Sequence, residues 1–158
     1  MRFFLAGYKN KNMQFLQIPF GTPEYDELVQ LRTEILREPL GLSFTPQFLK
    51  NEWRDTHLAA YTDDFVLLAT LILTEKDAKT VQMRQVAVAT NVQRKGVGAA
   101  IVAFSEAVAR KNGYSTMVLH ARDVAVDFYL AQAYTQVGEP FVEVGIAHIA
   151  MEKWLTRI

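Results

Sequence analysis

Apolar and polar positions fall into blocks along this chain, and the repeat length changes from block to block. Met13 to Ile18 reads as a first strand. Pro19 and Pro23 punctuate the loop that follows. Thr22 is a residue type that caps helices, and Pro23 suits a first helical turn. Leu28, Leu31, Ile35 and Leu36 recur at helical spacing. A helix is therefore predicted from this cap to about Glu38, where Pro39 discourages continuation. Leu40 to Pro46 forms an irregular apolar loop, and a short second helix covers roughly Gln47 to Arg54.

The period then shortens to two. His57 to Tyr61, Phe65 to Thr74 and Thr80 to Val88 read as three strands, with turns at Thr62-Asp63-Asp64 and Glu75 to Lys79. Such spacing predicts an antiparallel meander. Within the third strand, Val81, Met83, Gln85 and Ala87 would share one face, and Gln82, Arg84, Val86 and Val88 the other.

Helical spacing returns after Gly98. Val97, Ile101, Phe104 and Val108 make one apolar stripe, flanked by Ala100, Ala103 and Ala107. Glu106 and Arg110 are spaced as an i, i+4 pair on the outer face. Asn112-Gly113 supplies a left-handed end. Tyr114 to His120 is the next strand; its Met117-Val118-Leu119 centre suits burial on both faces as a parallel neighbour of the Val86–Val88 strand. Asp123 can cap a helix over about Val124 to Ala133. A strand around Tyr134 to Val137, a turn at Gly138-Glu139-Pro140 and a closing strand near Ile146 to Lys153 complete the chain. The sum is an α+β fold, with an antiparallel meander leading into a β-α-β unit. Residues 13–158 read as one domain, and residues 1–12, with polar Lys9-Asn10-Lys11-Asn12, as an N-terminal extension.

Composition narrows the classes of function. Half of the 158 residues are apolar, enough for a core. The 17 Lys and Arg balance the 17 Asp and Glu, so no basic field argues for nucleic acid. The chain has no cysteine, which excludes disulfides, thiolate metal sites and a cysteine nucleophile. That composition fits a reducing cytoplasm. The Phe3–Gly7 run is too short for a signal sequence, and no run approaches membrane-spanning length.

The chemistry concentrates where the third strand of the meander meets the long helix. Gln93-Arg94-Lys95-Gly96-Val97-Gly98 follows a Val86-Ala87-Val88 strand. Glycine lets a backbone approach a ligand unobstructed. The first N–H groups of a helix lack internal partners and carry partial positive charge, which favours phosphate. A Walker loop is absent. A Rossmann fingerprint fails because Ile101 stands where a third glycine or alanine belongs.

This Gln93-x-x-Gly96-x-Gly98 pattern resembles the acetyl-coenzyme A loop of the GNAT N-acetyltransferase superfamily. Two further segments carry the same resemblance. Ala125-Val126-Asp127-Phe128-Tyr129 through Tyr134 resembles the family's A-x-x-F-Y-x-x-x-G-Y segment, with Ala133 in place of the usual glycine. The stretch from Phe141 through Glu143, Gly145, Ile146 and His148 to Met151 resembles the last strand pair of the small bacterial ElaA-like branch.

The resemblance implies a GNAT-like mixed β-sheet flanked by helices over residues 13–158, with acetyl-CoA as co-substrate. It implies that the backbone of Gln93, Arg94, Lys95, Gly96, Val97, Gly98 and Ala99 holds pyrophosphate. Val86, Ala87 and Val88 would run beside the pantetheine arm, with Phe128 also at the cofactor. Tyr129 takes the position of the family's general acid toward the departing thiolate. The Leu40–Pro46 loop would lie over the acceptor site. A general base is not evident: Glu34, Glu143, His148 and water stand level. His57 and His120 flank strands without metal-like spacing, and no metal is expected. The expected activity is acetyl transfer to a primary amine, of a small molecule or of a protein, with neither nucleic acid nor membrane as partner; a homodimer is compatible with this. A non-catalytic acyl-CoA-binding or sensing module on the same fold is the alternative.

Overall fold

A computed structural model describes residues 2–3 and 13–156. Along the chain, the strands and helices are β1 (Arg2–Phe3), β2 (Met13–Ile18), α1 (Pro23–Arg32), α2 (Pro46–Lys50), β3 (Thr56–Thr62), β4 (Leu67–Glu75), β5 (Thr80–Val88), α3 (Val97–Lys111), β6 (Thr116–Arg122), α4 (Val126–Ala131), β7 (Thr135–Glu143) and β8 (Ile146–Trp154). They fall into two compact units. One comprises Met1–Thr74 and Gln85–Ser105, the other Glu75–Arg84 and Glu106–Ile158. Strand β5 and helix α3 each contribute to both.

In the first unit, β2 pairs antiparallel with β3 from Met13↔Thr62 to Ile18↔His57, and β3 pairs antiparallel with β4. Thr22 caps α1 as expected, its hydroxyl accepting from the Tyr25 N–H at 3.2 Å. The α1 face carrying Tyr25 and Leu28 buries against Ile18, Ala59 and Tyr61. Each such side chain taken from water contributes about 1.5–3 kcal/mol. On the opposite face of β2, the Phe15 ring meets Phe104 of α3 at 5.1 Å.

The helix does run to the neighbourhood of Glu38, but not as one regular α-helix. Its α-helical part ends at Arg32, a π-turn covers Thr33–Arg37, and a 3₁₀ turn covers Glu38–Leu40. Arg2 and Phe3 pair with Gln14 and Met13. The remainder of the expected 1–12 extension lies outside the described residues.

The face assignment predicted for β5 fails at one residue. Gln85 adopts φ +54°, a left-handed conformation inside a strand. That kink breaks the period-two alternation, as bulge-like residues do. Before the kink, Val81, Gln82 and Met83 are all buried, so both faces of β5 are covered there.

In the second unit, β5 and β6 are parallel, as the crossover helix required, in register from Thr80↔Thr116 to Met83↔Leu119. This is the N-terminal part of β5, not its Val86–Val88 end. Strand β6 is buried on one face only: Met117, Leu119 and Ala121 are closed to solvent, whereas Val118 is half-buried and His120 exposed. Strand β8 pairs antiparallel with both β6 and β7.

The expected turn at Gly138-Glu139-Pro140 is instead an irregularity within β7, where the register shifts between Val137 and Phe141. The chain reverses at Val144-Gly145, whose φ values of 53° and 71° are those of a two-residue hairpin turn. Glu106 also departs from expectation. It is buried rather than on an outer face, accepting from the Tyr134 hydroxyl and from Lys153 Nζ, both at 2.8 Å. Arg110 stands farther off at 3.8 Å.

Candidate active site

The strand-to-helix corner of the first unit is built as the glycine pattern predicted. After β5, the chain makes a 3₁₀ turn over Thr90–Val92. Gln93 Nε2 then donates to the Val88 carbonyl at 3.0 Å, lashing the loop to the end of the strand. Arg94 and Gly96 both take left-handed conformations, at φ 63° and 88°. A Cβ added to Gly96 would meet nothing within 4 Å, so conformation rather than crowding favours glycine there. Ala100 N–H donates to the Gly96 carbonyl at 3.1 Å, which is the first bond of α3. The N–H groups of Val97, Gly98 and Ala99 therefore precede the helix's own ladder. Val97 is fully buried and fixes the helix start, while Gln93, Arg94, Lys95 and Gly96 lie exposed. Ala87 is buried, and Val86 and Val88 are half-buried. At the β5 kink the buried Gln85 Oε1 has no protein partner. Open first-turn donors beside two cations suit a diphosphate, so this corner fits the group that the resemblance implies.

Tyr129 and Phe128 lie on α4 in the second unit. Tyr129 is the buried one of the pair, with 8% of its surface exposed, and Phe128 is half-buried. Their rings meet edge to face at 5.0 Å, and Tyr129 meets Tyr134 in the same manner at 5.8 Å. Burial raises the Tyr129 phenol to about 12. It therefore keeps its proton at neutral pH. Asp123 does not cap α4. It belongs to a preceding 3₁₀ turn, where its carboxylate accepts from the Val124 N–H at 2.9 Å.

Helix α4 ends in a left-handed residue, with Ala133 at φ 69°. The Ala133 N–H donates to Leu130 and the Tyr134 N–H to Tyr129, at 3.0 and 3.1 Å. These two bonds form a Schellman end. The turn is thus as tight with alanine as glycine would make it, and the alanine carries the strain.

The other candidates separate. Glu34 lies on the π-turn and accepts from Gln30 Nε2 at 3.3 Å. In the loop expected over the acceptor, the Phe44 ring meets Arg32 and Arg37, whose guanidinium carbons stand 4.6 and 4.7 Å from its centre. Beneath it lies a buried network that sequence reasoning missed. Arg32 makes a two-pronged pair with Glu52 at 2.9 and 2.7 Å, and the Tyr25 hydroxyl donates to Glu52 at 2.7 Å. His57 Nε2 sits 3.0 Å from the Glu52 carbonyl. Burial pushes the Glu52 carboxyl up, but Arg32 and Tyr25 outweigh that and hold it below its usual range. In the second unit, Glu143 and His148 do come together, and His120 joins them.

Against known proteins, the acetyltransferase (GNAT) domain family matches residues 40–155. The chain belongs to the GNAT acetyltransferase family. It is 27% identical over 78 residues to the Bacillus subtilis (strain 168) protein YyaT, a match covering 49% of this chain and 53% of that one. The chain thus spans about half the length of this curated relative. A putative N-acetyltransferase from Lactobacillus plantarum superposes with a TM-score of 0.81 at 20% identity, over 91% of this chain and 99% of the other. An aminoglycoside 6'-N-acetyltransferase complexed with coenzyme A gives 0.75 at 13% identity, covering 92% and 98%. Escherichia coli ElaA gives 0.71 at 18% identity, covering 90% and 99%, so the likeness expected from the last strands is met at the level of fold. The fold is α+β with a mixed sheet, as expected. Among the described residues no helix is long and apolar enough to cross a membrane.

Proposed function

We propose that this chain transfers the acetyl group of acetyl-CoA to a primary amine. The observation that carries this reading is the corner at Gln93–Ala99. There the Gln93 side chain ties the loop to β5, Gly96 turns the chain, and three N–H groups open α3. In this role the backbone from Gln93 to Ala99 holds the diphosphate, with Arg94 and Lys95 adding charge. The Val86–Val88 backbone runs beside the pantetheine arm, and Phe128 packs near it. When bound, acetyl-CoA supplies an activated acetyl group.

Tyr129 donates a proton to the leaving thiolate. A phenol holds its proton at neutral pH and can give it to a departing thiolate. Mere binding would require no such donor, which is what favours an enzyme over a sensing module. The acceptor is a small-molecule or protein amine. The experiment is a panel of primary amines incubated with acetyl-CoA, following thiol release and the mass of the products. Amine-dependent thiol release with a 42-dalton gain on one class of amine is expected. Tight acetyl-CoA binding without transfer to any amine would select the non-catalytic module instead.

A further inference from the structure

The proposed reaction needs an acceptor nitrogen with a free lone pair, and neither the glycine loop nor Tyr129 supplies a base. We infer that His120 is that base and that Glu143 holds it in the required tautomer; this rests on the acetyl-transfer reading above. The observation is a cluster on three strands of the second unit. His120 Nδ1 lies 3.3 Å from Glu143 Oε1. A carboxylate can only accept, so Nδ1 carries the hydrogen. The neutral ring then presents an unprotonated Nε2. A base within hydrogen-bond reach of an orienting acid is the general signature of a proton-accepting imidazole. The Phe141 ring, edge to face with His120 at 5.0 Å, fixes the plane. His120 keeps 39% of its side chain exposed, so a substrate can reach it.

The neighbouring histidine is placed differently. His148 Nδ1 is 2.7 Å from the Ile146 carbonyl and must donate to it, and His148 is only 6% exposed. Its Nε2 faces Glu143 Oε2 at 3.7 Å. His148 is thus committed to its own strand through Nδ1 and is closed to the acceptor.

Register defines the surroundings. Arg122 pairs with His148, Val118 with Glu152 and Gln82 with Val118, so among the described residues Arg84, Arg122, Glu143, His148 and Glu152 are charged or titratable groups on the His120 face. His120 stands one residue beyond Leu119, the last β6 position in register with β5. Tyr129 packs on Tyr134, which belongs to the Lys153 side of the same sheet. Base and acid thus serve different partners from different sides.

The step balances as follows. An R–NH₃⁺ group gives one proton to His120 Nε2, and the freed lone pair forms the C–N bond to the acetyl carbonyl carbon. The C–S bond breaks, and the thiolate takes the Tyr129 proton. The second nitrogen proton leaves to solvent as the phenolate regains one, and the imidazolium discharges to water. One proton is released for each amide formed.

Two measurements on the full chain test this. Long-range proton–nitrogen spectroscopy should find neutral His120 in the Nδ1–H form, and Glu143→Ala should convert it to the Nε2–H form. Finding Nε2–H in the unaltered protein overturns the assignment without touching the acetyl-CoA reading. Kinetics then compare butylamine, an ammonium at neutral pH, with methoxyamine, which is already neutral. His120→Gln should lower kcat/KM for butylamine roughly 10²-fold. Methoxyamine should change less than about threefold, because no ammonium proton has to be removed first. Equal losses on both amines overturn the base role. Calorimetry with coenzyme A reports the underlying reading separately: failure of the unaltered protein to bind it would overturn that reading, whereas His120→Gln should bind as the parent does.

Discussion

Tyr129 and Ala133 lie four residues apart and face opposite demands. Tyr129→Phe keeps the ring against Phe128 and Tyr134 and removes only the proton. Turnover should fall roughly 10²-fold while acetyl-CoA binding changes little, because the proton moves only as the thiolate leaves. Turnover and melting measured on one preparation check this. A stability loss of about 1 kcal/mol with unchanged turnover would make Tyr129 a packing residue alone. With the phenol raised to about 12 by burial, its protonated form persists across the working range, so Tyr129 should contribute no limb to the pH profile below pH 10. Ala133, at φ 69°, holds a conformation that costs an L-residue about 1–2 kcal/mol. Ala133→Gly should therefore raise stability by about 0.5–1 kcal/mol after the added freedom of the unfolded chain is counted. Thermal melting should show a rise of a few degrees. The alanine was visible in the sequence. That its turn would keep full glycine geometry was not, because the two Schellman bonds that enforce it form only in the folded helix end.

At the scale of elements, local chemistry was legible and long-range pairing was not. Thr22, Pro23 and the α1 stripe announced that helix because a cap and a 3.6 repeat are local signals. The closing hairpin was misplaced because Gly138 and Pro140 are turn residues by type, whereas Val144-Gly145 is not an obvious turn pair. Register across β7 and β8 decided otherwise. Glu106 looked like an outer-face partner of Arg110, since i, i+4 spacing is visible in sequence and a contact with Tyr134, 28 positions away, is not. The same holds for Glu52, which reaches across from α2's end to Arg32 and Tyr25. Glu52→Gln should cost about 3–5 kcal/mol by leaving the Arg32 charge buried without its counter-ion. The double variant Arg32→Met, Glu52→Met should cost less than the sum of the singles, and denaturant melts of the three variants check this. The pH sign follows from the depressed Glu52 carboxyl. Its contribution is full above the ordinary carboxylate range and is lost as the pH falls through its lowered folded value. The stability of the unaltered protein should fall with acid there, and Glu52→Gln should flatten that slope.

For the whole molecule, the backbone of the glycine corner was the most legible part, because only a few residue types favour its left-handed turn. The base was the least legible part, since His120, Glu143 and His148 meet only through the pairing of β6, β7 and β8. Family membership fixes the fold that carries both, and the activity rests on whether the corner takes a coenzyme A diphosphate. The most direct test is a calorimetric titration of coenzyme A into the unaltered protein and into a folded Gly98→Glu variant. Saturable one-to-one binding to the first and a loss of at least tenfold in the second, as bulk and negative charge enter the phosphate position, is the predicted result. Equal affinity in both proteins, or no binding to the unaltered one, would contradict the account.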